Sequence, residues 1–177
     1  MKLFKLAFIL VFTSLILASC NSKKHVAKTH VSKHKATNKK EYYSKKFGVT
    51  LDRESNLKLY AAIDNWVGVK YKFGSCTKSG IDCSCLVNAL FREAYACNTP
   101  RDTKGLYEQI KKIDLDELKE GDLVFFKMEG NKIDHVGVYI SDKKFVHAST
   151  KGGVMISSLE EEHFRKNFKT GGRLKCI

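Results

Sequence analysis

Residues 79–91 read SGIDCSCLVNALF, and this stretch decides the fold because it places a cysteine where a loop becomes a helix. After Cys85 the apolar residues recur at the spacing of a helix with one buried face; they are Leu86, Val87, Leu90, Phe91, Ala94 and Tyr95. Gly80 supplies the preceding turn, and Asp82 or Ser84 can cap the helix. The stretch therefore predicts a helix whose start carries Cys83.

A cysteine at a helix start has two interpretations. The first N–H groups of a helix have no intrahelical partners and sum to a partial positive charge, which favours a thiolate. Such a site can lower the pKa of a cysteine from about 8.5 to a reactive range. A free cysteine is also often an inert, small buried residue. On this stretch alone, a nucleophilic and a structural Cys83 are both open.

Motifs on both sides of this stretch favour the nucleophile. Residues 71–74 read YKFG, residues 134–140 read DHVGVYI and residues 145–149 read FVHAS. Together with residues 79–91, these motifs resemble the NlpC family of papain-like cell-wall peptidases, over about residues 48–177. In that family a cysteine opens a helix, a histidine opens a later strand, and a second polar residue follows on the next strand. The resemblance implies the order Cys83, His135 and His147 for a catalytic triad.

The resemblance also implies contacts for the substrate. Tyr71 corresponds to an active-site wall whose hydroxyl reaches the substrate or the developing oxyanion, although a core aromatic remains the alternative. Asp82 and Ser84 flank the nucleophile and join Tyr71 as candidate substrate or oxyanion contacts. One position departs from the family pattern, because Cys85 stands where the family has glycine. We expect Cys85 to affect packing or substrate fit more than chemistry.

The rest of residues 48–177 predicts an α+β domain of papain-like type, in which the nucleophile helix packs on a mainly antiparallel sheet. Helices are predicted over 54–67 and 106–111, and strands over 123–126, 135–140, 144–148, 153–157 and 173–177. His135 and His147 share a face if the hairpin loop has an odd number of residues, most simply 141–143. In that register His147 stands opposite Gly137 and diagonal to His135, and we expect Gly137 to leave the space between the two histidines open.

Residues 1–20 are predicted to be an export signal. Lys2 and Lys5 precede an apolar run that is too short for a membrane-spanning helix. The run ends in Leu17-Ala18-Ser19-Cys20, which resembles a bacterial lipobox. That resemblance implies cleavage before Cys20 and lipidation of its sulfur, whereas an ordinary cleaved signal with a chance cysteine is the alternative. The expected location is the cell envelope, with the domain outside the cytoplasm and anchored to membrane lipid through acylated Cys20.

Residues 21–47 predict a disordered tether. They contain nine lysines, three histidines and one acid, with few apolar residues before Tyr42. These residues and the two signal lysines account for most of the formal charge of +13 and leave +3 for the folded part. Because the basic residues lie in a tail of an exported chain without interleaved aromatics, we expect acidic wall polymers or anionic lipid as partners and no nucleic acid. His25, His30 and His34 lack companion ligands, so no metal is expected.

The cysteine count is compatible with a free nucleophile. Five cysteines remain after Cys20, an odd number in an oxidising compartment. At least one thiol therefore stays free or pairs between chains, and we expect Cys83 to be the free one. Cys83 and Cys85 lie two apart at a helix start, where side chains point away from each other, so we expect no bond or metal clamp between them. The partner of Cys85, whether Cys76 or another cysteine, stays open.

The favoured function is a monomeric, cofactor-free cysteine peptidase that is anchored to the membrane. The family resemblance implies that it hydrolyses peptidoglycan stem peptides, most simply between γ-D-glutamate and the following diamino acid. Two alternatives stay open: a wall-binding lipoprotein whose site is blocked by Cys85, and an amidase or acyltransferase that uses the same thiol.

Overall fold

The computed structural model describes residues 37–177, so the predicted signal, Cys20 and the first part of the tether lie outside the described residues. Residues 37–47 form a helix, here named α1. The prediction of a disordered tether is wrong for these residues, because Tyr43 and Phe47 are buried and pack against Tyr60 at ring-centroid distances of 6.1 and 6.3 Å. Two aromatic residues four positions apart on one helix face supply the apolar surface that the lysines obscure. The folded domain therefore begins before residue 48.

Two longer helices build the core beneath the sheet. Helix α2 spans Leu57–Trp66, where a helix over 54–67 was predicted, and Asn56 caps it by accepting the Lys58 N–H. Helix α3 spans Cys83–Tyr95, as residues 79–91 predict, and ends at Ala96 in the left-handed conformation. Both helices bury an apolar stripe and pack against each other.

A short hairpin leads into α3. Its strands are β1, Cys76–Thr77, and β2, Gly80–Ile81, and they pair antiparallel. Tyr71 forms an isolated bridge with Ile81, which places Tyr71 beside the start of α3. Helix α4, Thr103–Gln109, follows α3. It begins before the predicted helix over 106–111 because Asp102 caps it by accepting the Gly105 N–H, and it also ends earlier.

The main sheet has six strands in the order β3-β8-β4-β5-β6-β7, and all neighbours are antiparallel. The strands are β3 Lys111–Ile113, β4 Leu123–Phe126, β5 His135–Ser141, β6 Lys144–Ser149, β7 Gly153–Ser158 and β8 Phe168–Arg173. A 3₁₀ turn, Leu115–Glu117, links β3 to β4. Helices on a mainly antiparallel sheet confirm the α+β prediction.

The β5–β6 hairpin keeps the predicted register by a different turn. Val138 pairs with Val146 and Tyr139 with Phe145, as predicted. The loop, however, contains only Asp142 and Lys143, both at positive φ, and an irregularity between Tyr139 and Ser141 absorbs the extra residue. The predicted three-residue loop is therefore wrong, although the predicted pairing of the two strands that carry His135 and His147 is confirmed.

Gly137 has a different role from the predicted one. A Cβ at this position would come within 2.5 Å of the Phe145 ring and 2.9 Å of the Val146 carbonyl oxygen. The space beside Gly137 is therefore filled by Phe145 and is not an open gap between the histidines.

The C-terminal region differs most from the prediction. The predicted strand over 173–177 is wrong, because the strand is β8, Phe168–Arg173. Helix α5, Glu162–Asn167, precedes it and was missed. Its single buried residue, Phe164, packs against Phe126 and Phe145 on the face of the sheet opposite α3. Six residues with one apolar anchor give too weak a periodicity to predict a helix.

Two disulfides tie the outer segments to this core. Cys76 bonds Cys85, with their Cα atoms 5.3 Å apart, and Cys97 bonds Cys176, with their Cα atoms 6.3 Å apart. No helix within residues 37–177 has the length and hydropathy needed to cross a membrane.

Candidate active site

Cys83 is the first residue of α3, and its sulfur faces the start of strand β5. The side chain is 7% exposed. Its sulfur accepts hydrogen bonds from the backbone N–H of Val136 and Ser84, and the Thr103 hydroxyl lies 3.9 Å away. Because Val136 follows His135 directly, the helix start and the strand start bring the thiol and the imidazole to one place.

The state of the thiol differs from the sequence-based expectation. Burial raises the pKa of Cys83, and hydrogen bonds from Thr103 and the Val136 N–H only partly oppose this effect. The prediction that the pKa of Cys83 is lowered is therefore wrong for this structure. Desolvation penalises the thiolate more than the hydrogen bonds from Thr103, Val136 and Ser84 stabilise it.

The two histidines form a hydrogen-bonded chain that ends on a serine. His135 Nε2 lies 2.8 Å from His147 Nδ1, and His147 Nε2 lies 3.2 Å from Ser157 Oγ. The rings meet edge to face, with centroids 5.0 Å apart and an interplanar angle of 88°. A proton on His135 Nε2, shared with His147, leaves His135 Nδ1 unprotonated and able to act as a base.

Both histidines are neutral at neutral pH. Burial lowers the pKa of His135 to about 4, although nearby Asp134 raises it. Burial and the neighbouring His135 lower the pKa of His147 to about 3. The site therefore contains a thiol and a neutral imidazole, and not a preformed thiolate–imidazolium pair.

An open cleft of about 580 Å³ lies beside the histidines. Its lining includes His135, His147 and Tyr71, and it continues over the β6–β7 turn and α5. Tyr71 is half-buried and close enough to Cys83 that burial, together with negative charge at Cys83, raises the pKa of its phenol. The Tyr71 hydroxyl therefore remains protonated and is available as a hydrogen-bond donor.

Asp82 and Ser84 hold the loop to the helix and do not line the cleft. Asp82 Oδ1 accepts the Cys85 N–H at 2.8 Å, and its Oδ2 accepts the Gly74 N–H at 2.9 Å. Ser84 Oγ lies 3.0 Å from Asp82 Oδ1 and 2.9 Å from the Arg101 carbonyl oxygen. Internal partners occupy both buried side chains, so the expectation that these side chains contact substrate is corrected to a positioning role.

The cysteine pattern confirms Cys83 as the free thiol among residues 37–177. Cys85 is 2% exposed and bonded to Cys76, away from the cleft lining. The side chain that replaces the family glycine therefore neither blocks the cleft nor competes with Cys83.

Sequence reasoning missed two polar neighbours of the triad residues. Ser157 lies on β7, two residues beyond Met155, which pairs with His147, so strand alternation places it on the histidine face. That signal was present but not used. Thr103 comes from α4, and nothing in its sequence context indicates that it approaches Cys83.

The geometry agrees with comparisons to known proteins. The model of the NlpC/P60 family matches residues 68–173. The chain is 42% identical over 116 residues to the probable endopeptidase NlpC homolog of Haemophilus influenzae (strain ATCC 51907 / DSM 11121 / KW20 / Rd), covering 66% of this chain and 61% of that protein. It is 43% identical over 110 residues to the murein DD-endopeptidase MepS/murein LD-carboxypeptidase of Escherichia coli (strain K12), covering 62% and 58%.

The chain thus spans about three fifths of the length of these relatives. Among solved structures, an NLP/P60 family protein from Staphylococcus aureus subsp. aureus Mu50, described as similar to lipoprotein, superposes with a TM-score of 0.62 at 24% identity and covers 71% of this chain and 43% of that chain. This likeness supports the fold. The family match covers more than half of the chain and includes the helix-start cysteine and both histidine strands. The chain therefore belongs to the NlpC/P60 family.

Proposed function

We propose that this protein is a cysteine peptidase that hydrolyses peptide bonds of peptidoglycan through Cys83, His135 and His147. One observation carries the proposal: the free thiol of Cys83 faces the start of β5, where His135 is hydrogen bonded to His147 at 2.8 Å. A nucleophile, a base and a group that orients the base are the parts that acyl transfer requires.

Acylation begins with proton transfer, because the resting thiol is protonated. His135 Nδ1 takes the proton from Cys83 as the sulfur attacks the substrate carbonyl carbon. The negative charge moves to the carbonyl oxygen, and His147 stabilises the His135 imidazolium by accepting from its Nε2–H. His135 then gives the proton to the leaving amine, and the acyl group remains on Cys83 as a thioester.

Water completes the reaction. His135 takes a proton from water, the hydroxide adds to the thioester carbon, and the Cys83 sulfur leaves with the proton returned from His135. In both halves the backbone N–H of Cys83, at the start of α3, donates to the oxyanion, because this first-turn group lacks an intrahelical acceptor. The raised pKa of Tyr71 keeps its hydroxyl protonated, and we propose that this hydroxyl donates a second hydrogen bond to the oxyanion.

The substrate class rests on the relatives. Their names describe an endopeptidase and a murein DD-endopeptidase/LD-carboxypeptidase, and murein is peptidoglycan. From the family resemblance we propose the bond between γ-D-glutamate and the following diamino acid. The Escherichia coli relative's name favours a second candidate, a bond at a D-amino acid centre in a cross-link or stem-peptide end.

The two other function classes receive less support. A binding protein blocked by Cys85 is disfavoured because Cys85 is buried, bonded to Cys76 and absent from the cleft lining. An amidase or acyltransferase uses the same nucleophile and differs only in the leaving group or the acceptor.

We also propose that the protein acts from the cell envelope, anchored through acylated Cys20. The support is the sequence Leu17-Ala18-Ser19-Cys20 after an apolar run, in residues outside the described part. Cys20→Ala should move the protein from the membrane fraction to the soluble fraction. If this variant partitions into membranes as the wild type does, the anchor proposal is wrong.

Product analysis separates the function classes. Purified peptidoglycan is incubated with the protein or with Cys83→Ala, and the soluble products are identified by mass spectrometry. We expect new peptide termini from the wild type and none from Cys83→Ala. Binding without products supports the binding protein, and products cut between sugar and peptide support an amidase.

A further inference from the structure

We infer that Ser157 is the residue that holds His135 and His147 in the one proton arrangement in which His135 can act as a base. It does so by accepting a hydrogen bond from the Nε2–H of His147. Ser157 acts through His147 and not on the reacting atoms, so it is a positioning residue. The inference rests on the proposed function and extends its triad by a fourth residue.

Strand pairing brings Ser157 to the second histidine. Met155 of β7 pairs with His147, and Ser157 pairs with Phe145. Because paired residues share a face of the sheet, Ser157 stands diagonal to His147 on the histidine face. Ser157 is 6% exposed, and its Oγ lies 3.2 Å from His147 Nε2. The fold therefore places a buried hydroxyl at the far end of the chain that begins at His135.

Two proton arrangements fit the distances in this chain. In the forward arrangement, His135 Nε2–H donates to His147 Nδ1, and His147 Nε2–H donates to Ser157 Oγ. In the reversed arrangement, the Ser157 hydroxyl donates to His147 Nε2, and His147 Nδ1–H donates to His135 Nε2. A neutral imidazole carries one proton, so the reversed arrangement puts the proton of His135 on Nδ1. Only the forward arrangement leaves His135 Nδ1 free to take the proton of Cys83.

The imidazolium of the proposed mechanism requires the forward arrangement. Protonated His135 carries a proton on both ring nitrogens, so its Nε2–H must donate and His147 Nδ1 must accept. The proton of His147 is then on Nε2 and needs an acceptor of its own. A serine hydroxyl can be that acceptor, because it has two lone pairs and one rotatable O–H. Ser157 therefore supplies the acceptor that the charged state of His135 demands.

No other side chain near His147 can replace Ser157 in this role. His147 is 2% exposed, and its ring packs against those of Phe145 and Phe164 at centroid distances of 5.0 and 5.1 Å. Within residues 37–177 its ring nitrogens have two hydrogen-bond partners, His135 and Ser157. Without Ser157 the forward arrangement would bury an N–H group that has no acceptor. In protein backbones such N–H groups are rarer than oxygens without a donor, so the reversed arrangement would gain population.

Steady-state kinetics of the full chain on one peptidoglycan stem peptide gives the first readout. Ser157→Ala keeps Cys83, His135 and His147 and should lower kcat roughly tenfold, because the charged state would bury an N–H group without an acceptor. KM should keep its wild-type value, since Ser157 does not line the cleft. Ser157→Thr retains the hydroxyl on a residue that suits a strand and should restore most of kcat.

The positions of the ring protons give a second readout that needs no turnover. Burial holds the pKa of both histidines below neutral pH, so each ring carries one proton there. Nitrogen-15 NMR of the full chain, labelled at its six histidines, shows which nitrogen carries that proton, and His135→Ala and His147→Ala assign the signals. We expect Nε2–H on both rings in the wild type and in Ser157→Thr, and a shift towards Nδ1–H on both rings in Ser157→Ala.

Ser158→Ala is the matched control. Ser158 follows Ser157 on β7, and strand alternation points its side chain to the opposite face of the sheet. Its hydroxyl accepts the Glu160 N–H at 3.1 Å, away from the histidines. This variant should change neither kcat nor the positions of the ring protons.

Wild-type kcat in Ser157→Ala, or ring protons that stay where they are in the wild type, would overturn the inference and leave the proposed function intact. A loss of kcat that Ser158→Ala shares and Ser157→Thr does not restore would show a packing effect and would also overturn it. If the wild type cuts neither the peptide nor peptidoglycan, the proposed function itself fails, and the ring protons alone decide the inference.

Discussion

Burial of the thiol and the histidines decides how this site must react. The pKa of Cys83 lies above its ordinary value and the pKa of His135 falls to about 4, both mainly because the charged forms lose solvation. The site therefore holds a neutral pair, and in the proposed mechanism charge separates only when substrate arrives. In that mechanism the 2.8 Å contact from His135 to His147 stabilises the imidazolium as it forms.

The first prediction concerns the thiol in the absence of substrate. Only the thiolate is alkylated, and the pKa of Cys83 lies above the ordinary cysteine value of about 8.5. In a chain of residues 37–177, the rate at which iodoacetamide modifies Cys83 should therefore still rise with pH above pH 8.5. The measurement is the alkylation rate against pH, with the small-molecule thiol N-acetylcysteine as control. A rate that levels off below pH 7 would show a preformed thiolate.

The second prediction separates the base from the residues that orient it. His135→Ala should lower kcat roughly 10²- to 10⁴-fold, because it removes the general base. His147→Ala should leave measurable turnover, since the nucleophile and base remain, and Ser157→Ala should have a smaller effect than either. Steady-state kinetics on one peptide substrate gives the order. A wild-type rate in His135→Ala would remove His135 from the mechanism.

Much of this site could be predicted from the sequence, and the reason is geometric. The local pattern places Cys83 at a helix start, and strand alternation puts His135 and His147 on one face. The charge states of the thiol and of the two imidazoles could not be predicted, because they depend on how deeply the folded domain buries each group. Thr103 reaches Cys83 only through the packing of α4, which no local pattern encodes.

At the scale of elements, the α3 start is held from two directions. The carboxylate of Asp82 ties the Gly74 turn to the first turn of the helix, and the Cys76–Cys85 bond ties the β1–β2 hairpin to the same turn. The Cys76–Cys85 disulfide uses Cys85, the position at which the family has glycine. The Cys76–Cys85 bond joins the segment that carries Tyr71 to the helix that carries the proposed nucleophile.

The third prediction compares the two disulfides. The chain-entropy estimate gives about 3 kcal/mol for the ten-residue loop closed by Cys76–Cys85 and about 4.5 kcal/mol for the 80-residue loop closed by Cys97–Cys176, from sequence separations of 9 and 79. Cys76→Ala/Cys85→Ala should therefore unfold at lower urea concentration than the wild type, and Cys97→Ala/Cys176→Ala at lower concentration still.

Activity gives the control for this comparison. Cys76→Ala/Cys85→Ala should remain folded and active, because neither residue lines the cleft. Complete loss of turnover in a folded protein would show that the bond participates in the site more directly than we infer.

Elements with a strong apolar period could be predicted, and those without one could not. Helix α3 and the buried strand β4 carry long apolar patterns and lie where they were expected. The predicted length of the β5–β6 loop was one residue too long. An irregularity in the strand pairing takes up that residue, and such an irregularity leaves no trace in the alternation of side chains along the sequence. Helix α5 was missed because a single residue, Phe164, anchors it.

At the scale of the whole molecule, the fourth prediction concerns where the domain begins. A chain that starts at Thr37 should be more stable than one that starts at Gly48, because the second lacks Tyr43 and Phe47, which are 7% and 6% exposed. Loss of their burial should cost about 3 to 5 kcal/mol. Urea unfolding of the two chains measures the difference, and equal midpoints would return the boundary to residue 48.

The fifth prediction concerns acid. The folded-state pKa values of His135 and His147, about 4 and about 3, lie below the ordinary value of about 6.5. As the pH falls below 6.5, both histidines become protonated in the unfolded chain but stay neutral in the folded chain. The free energy of unfolding should therefore decrease from pH 6.5 down to about pH 3 to 4. His147→Gln should show a shallower fall in Tm across this window. An unchanged slope would show that His147 titrates normally.

The central claim is that Cys83 becomes acylated during peptide-bond hydrolysis, and acid quenching tests it most directly. The wild type and Cys83→Ala are mixed with a peptidoglycan stem peptide, quenched within the first turnover, and digested for mass spectrometry. The account predicts a thioester adduct on the peptide that contains Cys83, with the mass of the acyl half of the substrate, together with free leaving residue. Product formation by Cys83→Ala at the wild-type rate, or turnover with the adduct on another residue, would contradict it.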